Sequence, residues 1–91
     1  MRLRAHLFIS GRVQGVSYRW FTRDIAYELK LTGWVKNLPD TRVEAVFEGD
    51  KESIEKAITI CRQGPSGSLV RDVEVIWEEQ FEDFGDFEIR H

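Results

Sequence analysis

Leu3, Ala5, Leu7 and Ile9 alternate with Arg4, His6, Phe8 and Ser10. A period of two is that of a strand with one buried face, and Phe8 predicts that the second face is not fully wet. The period then changes. Tyr18, Phe21, Thr22, Ile25, Ala26 and Leu29 recur at three- and four-residue steps, which predicts an amphipathic helix from about Tyr18 to Leu31. Gly33 ends that helix or opens the next element. Trp34 to Leu38 is short and β-rich, and Pro39-Asp40 closes it. Arg42 to Glu48 alternates, with Val43, Ala45 and Phe47 on one side, so the two runs predict a hairpin. Gly49-Asp50 introduces a second helix, capped by Asp50 or, more weakly, by Ser53. Its inner stripe is Ile54, Ala57, Ile58 and Cys61. Gln63 to Ser68 reads as a loop, Val73, Val75 and Trp77 as a fourth strand, and Phe87 to Ile89 as a final one.

The predicted order is β-α-β-β-α-β-β. Two helices on one face of a mostly antiparallel sheet bury both helix stripes at once. This is an α+β, ferredoxin-like split βαβ plan with an added C-terminal strand. The 91 residues leave no room for a second core, so residues 1–91 are expected to form a single domain. Many functions share this plan, so the function has to be read from a site.

Charge narrows the choice of partner. The formal net charge is −3, but Met1 to Lys36 holds seven Arg and Lys against two acids, whereas Asn37 to His91 holds six against fourteen. A basic first third on an acidic protein suits a small anion better than a long polyanion, so no nucleic acid is expected. Cys61 is the one cysteine and His6 and His91 the two histidines, which leaves no internal disulfide and no Cys/His metal cluster to build. No stretch resembles a secretory signal or a membrane span. The expectation is a cytoplasmic protein that needs no metal or cofactor, with a monomer as the expected state.

The stretch GRVQGVSYRW, Gly11 to Trp20, joins the first strand to the first helix. Near Gly15 the backbone can take positive φ or approach a ligand closely. Successive N–H groups from Gly15 to Tyr18 can converge on an anion where a helix with its own unpaired donors begins. Arg19 stands at the positive end of that helix, an unfavourable place for a free cation, but its planar fork can grip two phosphate oxygens. Two readings of these residues stay open: an ordinary turn with a solvated arginine, or an anion site. The pattern is not a nucleotide-binding P-loop, since no GK[ST] follows.

GRVQGVSYR resembles the first signature of the acylphosphatase family, and GWVKNLPDTRVEAVFEG, Gly33 to Gly49, resembles its second. FGDFEIR, Phe84 to Arg90, is similar to the family's closing strand. The resemblance runs over essentially the whole chain. It implies hydrolysis of acyl phosphates to a carboxylate and inorganic phosphate. It also places the phosphate-binding arginine on Arg19, the phosphate cradle on Gly15, Val16, Ser17 and Tyr18, and the water-positioning asparagine on Asn37. One position departs from the pattern: Thr41 stands where the family signature has glycine. A β-branched residue is strained in a left-handed hairpin position, so the turn is expected to change type or length.

Other residues carry plainer expectations. Cys61 falls on the helix stripe and reads as core. Arg23 reads as a surface cation that pairs with Asp24 or Glu28, and Trp20 as a shield of the site or a contact for the acyl group. Two other functions fit parts of the pattern. A non-catalytic acylphosphatase-like domain would keep the fold for binding or assembly. An RNA-binding module would want exposed aromatics beside basic groups on the central strands, where this chain offers Arg42, Glu44 and Glu48 around Val46.

Overall fold

The structure is a computed structural model that describes residues 1–91. The elements are β1 (Arg2–Arg12), α1 (Tyr18–Glu28), β2 (Thr32–Asn37), β3 (Val43–Asp50), α2 (Lys51–Gln63), β4 (Leu69–Glu78) and β5 (Phe87–Arg90). They form one five-stranded sheet in the order β4-β1-β3-β2-β5, antiparallel except where β5 runs parallel to β2. This is the α+β ferredoxin-like plan with the added strand at one edge.

Register turns the alternation of β1 into a two-sided sheet. Leu7 pairs with Ala45 and Val75, and Ile9 pairs with Val43 and Val73. Leu7, Ile9, Val43, Ala45 and Val73 join Ile25 and Ala26 of α1 and Ile54, Ala57, Ile58 and Cys61 of α2 in one core, with Val75 packed against it. Val35 pairs with Ala45, and Asn37 pairs with Val43. Because strand side chains alternate, Asn37 therefore shares the helix-facing side of the sheet.

Two boundaries depart from the sequence reading, and the cap of α2 agrees with it. α1 ends at Glu28 rather than near Leu31. Lys30 turns left-handed (φ 59°), the Leu31 N–H donates to the Ala26 carbonyl at 2.8 Å, and Leu31 is buried. Leu31 thus continues the apolar pattern as a plug below the helix. β2 begins at Thr32, and Gly33 lies inside it. A Cβ there would stand 1.8 Å from the Val46 carbonyl oxygen, so only glycine permits this strand approach. At α2 the cap is Asp50, whose carboxylate accepts the Glu52 N–H at 3.2 Å.

The hairpin turn corrects the expectation at Thr41. The turn keeps its left-handed residue, and Thr41 occupies it at φ 80°. The Leu38 N–H donates to the Arg42 carbonyl at 2.8 Å, and the Asp40 carboxylate accepts both the Arg42 N–H (3.1 Å) and its Nε (2.8 Å). Those bonds hold the loop in shape against the strain at Thr41.

The open sheet face is not bare. The segment between β4 and β5 crosses it, with Phe81 under Arg2 and Phe84 under Arg4 and Arg90. Glu48, an expected surface residue of β3, is buried beneath this segment. Its carboxylate accepts the Glu82 N–H at 2.8 Å, the Asp83 N–H at 3.0 Å and Arg4 Nη1 at 3.2 Å. The face that an RNA-binding sheet would expose is thereby partly covered by the chain itself.

Candidate active site

Alternation ends β1 at Arg12, and the chain must then turn to enter α1. Gly15 (φ 75°) and Ser17 (φ 64°, ψ 25°) are both left-handed. A Cβ at Gly15 would meet no atom within 4 Å, so glycine is needed there for its φ and not for space. Ser17 is the N-cap residue of α1, yet it is left-handed instead of extended and its hydroxyl makes no cap bond. Its conformation follows from the loop, at a strain of about 1–2 kcal/mol.

The loop leaves its donors free. No backbone N–H from Gly15 to Trp20 donates to a protein acceptor, and the first α1 residues have no acidic side chain beside them. Free donors, a helix N-terminus and the Arg19 guanidinium converge at one place. Each contributes positive potential, and together they suit a dianion. Arg19 Nη1 lies 3.4 Å from the Arg90 carbonyl and 3.2 Å from His91 Nδ1, so β5 helps to place the fork.

Gly15, Ser17, Tyr18, Arg19 and Asn37 line one cleft of about 240 Å³, together with Val13 and Trp20. Asn37 enters from the end of β2. Its Oδ1 is buried and accepts no hydrogen bond. A buried amide oxygen without a donor is costly unless something polar meets it. Val16 does not line the cleft, and its side chain packs on the core. Tyr18 likewise turns its ring inward. Its hydroxyl donates to the Cys61 carbonyl at 2.6 Å, and burial pushes the phenol far above its ordinary range. Cys61 is fully buried, and desolvation pushes its thiol up to about 12. Neither group offers a base or nucleophile to the cleft at neutral pH.

Gln14 was missed in the sequence. Its Nε2 donates to the Leu38 carbonyl at 2.8 Å and to the Arg42 carbonyl at 2.9 Å. One side chain therefore ties the loop before α1 to the turn that follows Asn37. The available signal was its place beside Gly15 in the first motif, but a partner about two dozen residues away is invisible to local spacing.

The family model described as Acylphosphatase matches residues 5–89. The chain belongs to the acylphosphatase family. An acylphosphatase of Chloroflexus aurantiacus is 60% identical over 77 residues, covering 85% of this chain and 84% of that protein. Among solved structures of acylphosphatases, that from Bacillus subtilis superposes with a TM-score of 0.96 at 35% identity and covers 98% of this chain and 99% of its own. The acylphosphatase from Coxiella burnetii gives 0.89 at 42% identity, over 98% and 93%. Both structural matches extend along nearly the whole chain.

Proposed function

We propose that Arg19 and the loop amides from Gly15 onward hold the phosphoryl group of an acyl phosphate while Asn37 positions the attacking water. Acylphosphatase-type hydrolysis is the activity of this chain, and its small-molecule substrate and product are an acyl phosphate and inorganic phosphate. The observation that carries the assignment of roles is the orphaned, buried Asn37 Oδ1 in the same cleft as Arg19 and the free N–H groups.

An acyl phosphate already has a good carboxylate leaving group. The difficulty is to bring water to a dianionic phosphoryl group and to stabilise its equatorial oxygens in the transition state. The N–H groups of Gly15, Val16, Ser17 and Tyr18, with the Arg19 fork, supply that stabilisation electrostatically. Water donates to Asn37 Oδ1, which aims an oxygen lone pair at phosphorus. A P–O bond forms to water as the P–O bond to the acyl oxygen breaks, and the carboxylate leaves with the electron pair. Asn37 does not titrate in the useful range, so a phosphoryl oxygen takes the water proton. The cleft walls contain no carboxylate, imidazole or thiol, which supports chemistry without a metal.

The same reading extends to the setting. One family match over nearly the whole chain supports a single functional domain, residues 1–91. The acidic balance after Lys36 disfavours nucleic acid. No helix is long and apolar enough to cross a membrane. A buried free thiol fits a reducing cytoplasm, and we take the working unit to be a monomer.

The test is the initial rate of benzoyl phosphate hydrolysis in EDTA for the wild type, Arg19→Ala and Asn37→Ala, with inorganic phosphate as a competitive inhibitor. Asn37→Ala is expected to lose at least ~100-fold in kcat, equivalent to about 2.7 kcal/mol, and to keep its phosphate inhibition constant. Arg19→Ala is expected to lose both turnover and phosphate inhibition. Full activity in either variant would overturn its assigned role, and loss of wild-type activity in EDTA would overturn metal independence.

A further inference from the structure

A second cleft, of about 420 Å³, opens on the far side of Arg19 and Trp20. Its size is that of a small-molecule site. Arg19 and Trp20 line both clefts, so the two lie side by side across these side chains. Trp20 and Tyr27 of α1 and Phe87 and Ile89 of β5 give the second cleft an apolar side, and Arg19, Arg23 and His91 give it a polar one. Glu88, which also lines it, alternates toward the other sheet face and pairs with Arg90 at 3.6 Å.

Arg23 is the unexplained charge in this cleft. It lies one helical turn beyond Arg19, on the same side of α1 and about 6 Å along the axis. Its guanidinium is 4.3 Å from the centre of the Trp20 ring and 5.6 Å from that of Tyr27. Residues 20, 23 and 27 are thus an aromatic–cation–aromatic ladder at helical spacing, and the rings fix the plane of the fork. The fork is nevertheless barely used. Nε is buried without an acceptor, and the one carboxylate near it, the exposed Asp24, is 3.5 Å from Nη2. A held guanidinium with uncommitted donors is ready for a planar anion.

We propose that this cleft is the acyl-group subsite and that Arg23 selects acyl phosphates whose acyl group carries a second anionic group, one helical turn from the reacting phosphate. The exposed rings of Trp20 and Tyr27 take the apolar part of the acyl group, Arg19 holds the phosphate, and Arg23 meets the distal anion. The inference rests on the placement of the phosphate at Arg19 argued above.

The experiment compares kcat/KM for 3-carboxybenzoyl phosphate and for benzoyl phosphate, which differ only in the second anion. The wild type should prefer the carboxylated substrate, and rising salt should weaken the preference because part of the cleft is open to solvent. Arg23→Gln should lower the ratio of the two values at least ~10-fold. Arg23→Glu should lower it further, and Arg23→Lys should retain part of it. Far-ultraviolet circular dichroism and the phosphate inhibition constant establish that each variant is folded with its phosphate site intact. A ratio that does not change in Arg23→Gln, or an equal fractional loss on both substrates, would overturn the subsite while the catalytic reading stands. Absence of wild-type turnover on both substrates would overturn the two together.

Discussion

Ser17 and Thr41 are strained residues in the two segments that build the site. Both are non-glycine residues in the left-handed region, where an L side chain costs about 1–2 kcal/mol. Ser17→Gly should raise the stability of the fold by about 1 kcal/mol, since its hydroxyl makes no cap bond to lose. The same change frees the loop and should weaken inhibition by phosphate, because preorganised donors become mobile. Urea unfolding beside a phosphate inhibition constant reads the two opposite effects, and a drop in stability would refute the strain argument. Thr41→Gly should also stabilise, at the turn that fixes the end of β2. Cys61 carries a prediction in the other direction of reactivity. Its folded-state thiol is pushed up to about 12 by burial. The proton is held in the folded state, so this contribution to stability is full below the ordinary thiol range and is lost as pH rises from there through the folded value of about 12. Iodoacetamide at pH 8 should label Cys61 only under unfolding conditions.

At the scale of elements, the site depends on how the β1–α1 loop meets the β2–β3 hairpin. Gln14 makes that joint through two carbonyls. Gln14→Ala removes one donor from each carbonyl while the Thr41 and Leu38 N–H groups stay on them, at a cost of about 0.5–1.5 kcal/mol per bond, and lets the end of β2 drift relative to Arg19. The expected signature is a fall in kcat with the phosphate inhibition constant nearly unchanged. A change confined to phosphate inhibition would assign Gln14 to the loop alone. Asp40 tightens the same turn. Its carboxyl is held below the usual carboxylate range, first by the Arg42 N–H and then by the Arg42 guanidinium. A carboxyl lowered in the folded state contributes above the ordinary range, and the contribution is lost as pH falls through the lowered value. The difference in unfolding midpoint between wild type and Asp40→Asn should therefore be present at neutral pH and close in acid. Most of this was beyond local reading. The motif around Gly15 and the asparagine before Leu38-Pro39 are legible as residue types, and Asp50 is legible as a cap because capping acts over three residues. The Gln14 bonds span 24 and 28 positions, and Thr41 stays left-handed because Asp40 and Arg42 hold the turn around it.

For the whole molecule, the buried Glu48 joins the β4–β5 crossing segment to the sheet. Arg4 binds it at 3.2 Å and also binds Glu78 at 2.7 Å and Glu82 at 3.2 Å, so one arginine connects β3, β4 and the crossing segment. Glu48→Ala removes the acceptor of two backbone N–H groups and one partner of a buried ion pair, and should cost about 3–5 kcal/mol. Hydrogen exchange should quicken first in residues 79–86. The phosphate site lies on the opposite side of the sheet and should keep its inhibition constant; coupled loss of both would show that the strap also supports the catalytic cleft through β5. By itself, the sequence determined the element types, the inner stripes of both helices, the ferredoxin-like order and the motifs that mark the family, because these depend on periods of two and 3.6 and on short-range spacing. The tertiary structure alone decided that β5 runs parallel to β2, that Glu48 is buried, that Asn37 lines the cleft with its Oδ1 buried and unpaired, and that Arg23 lines a second cleft beside Arg19. Those facts depend on strand register and on which distant surfaces meet. Chain closure sets both, and no local period records them.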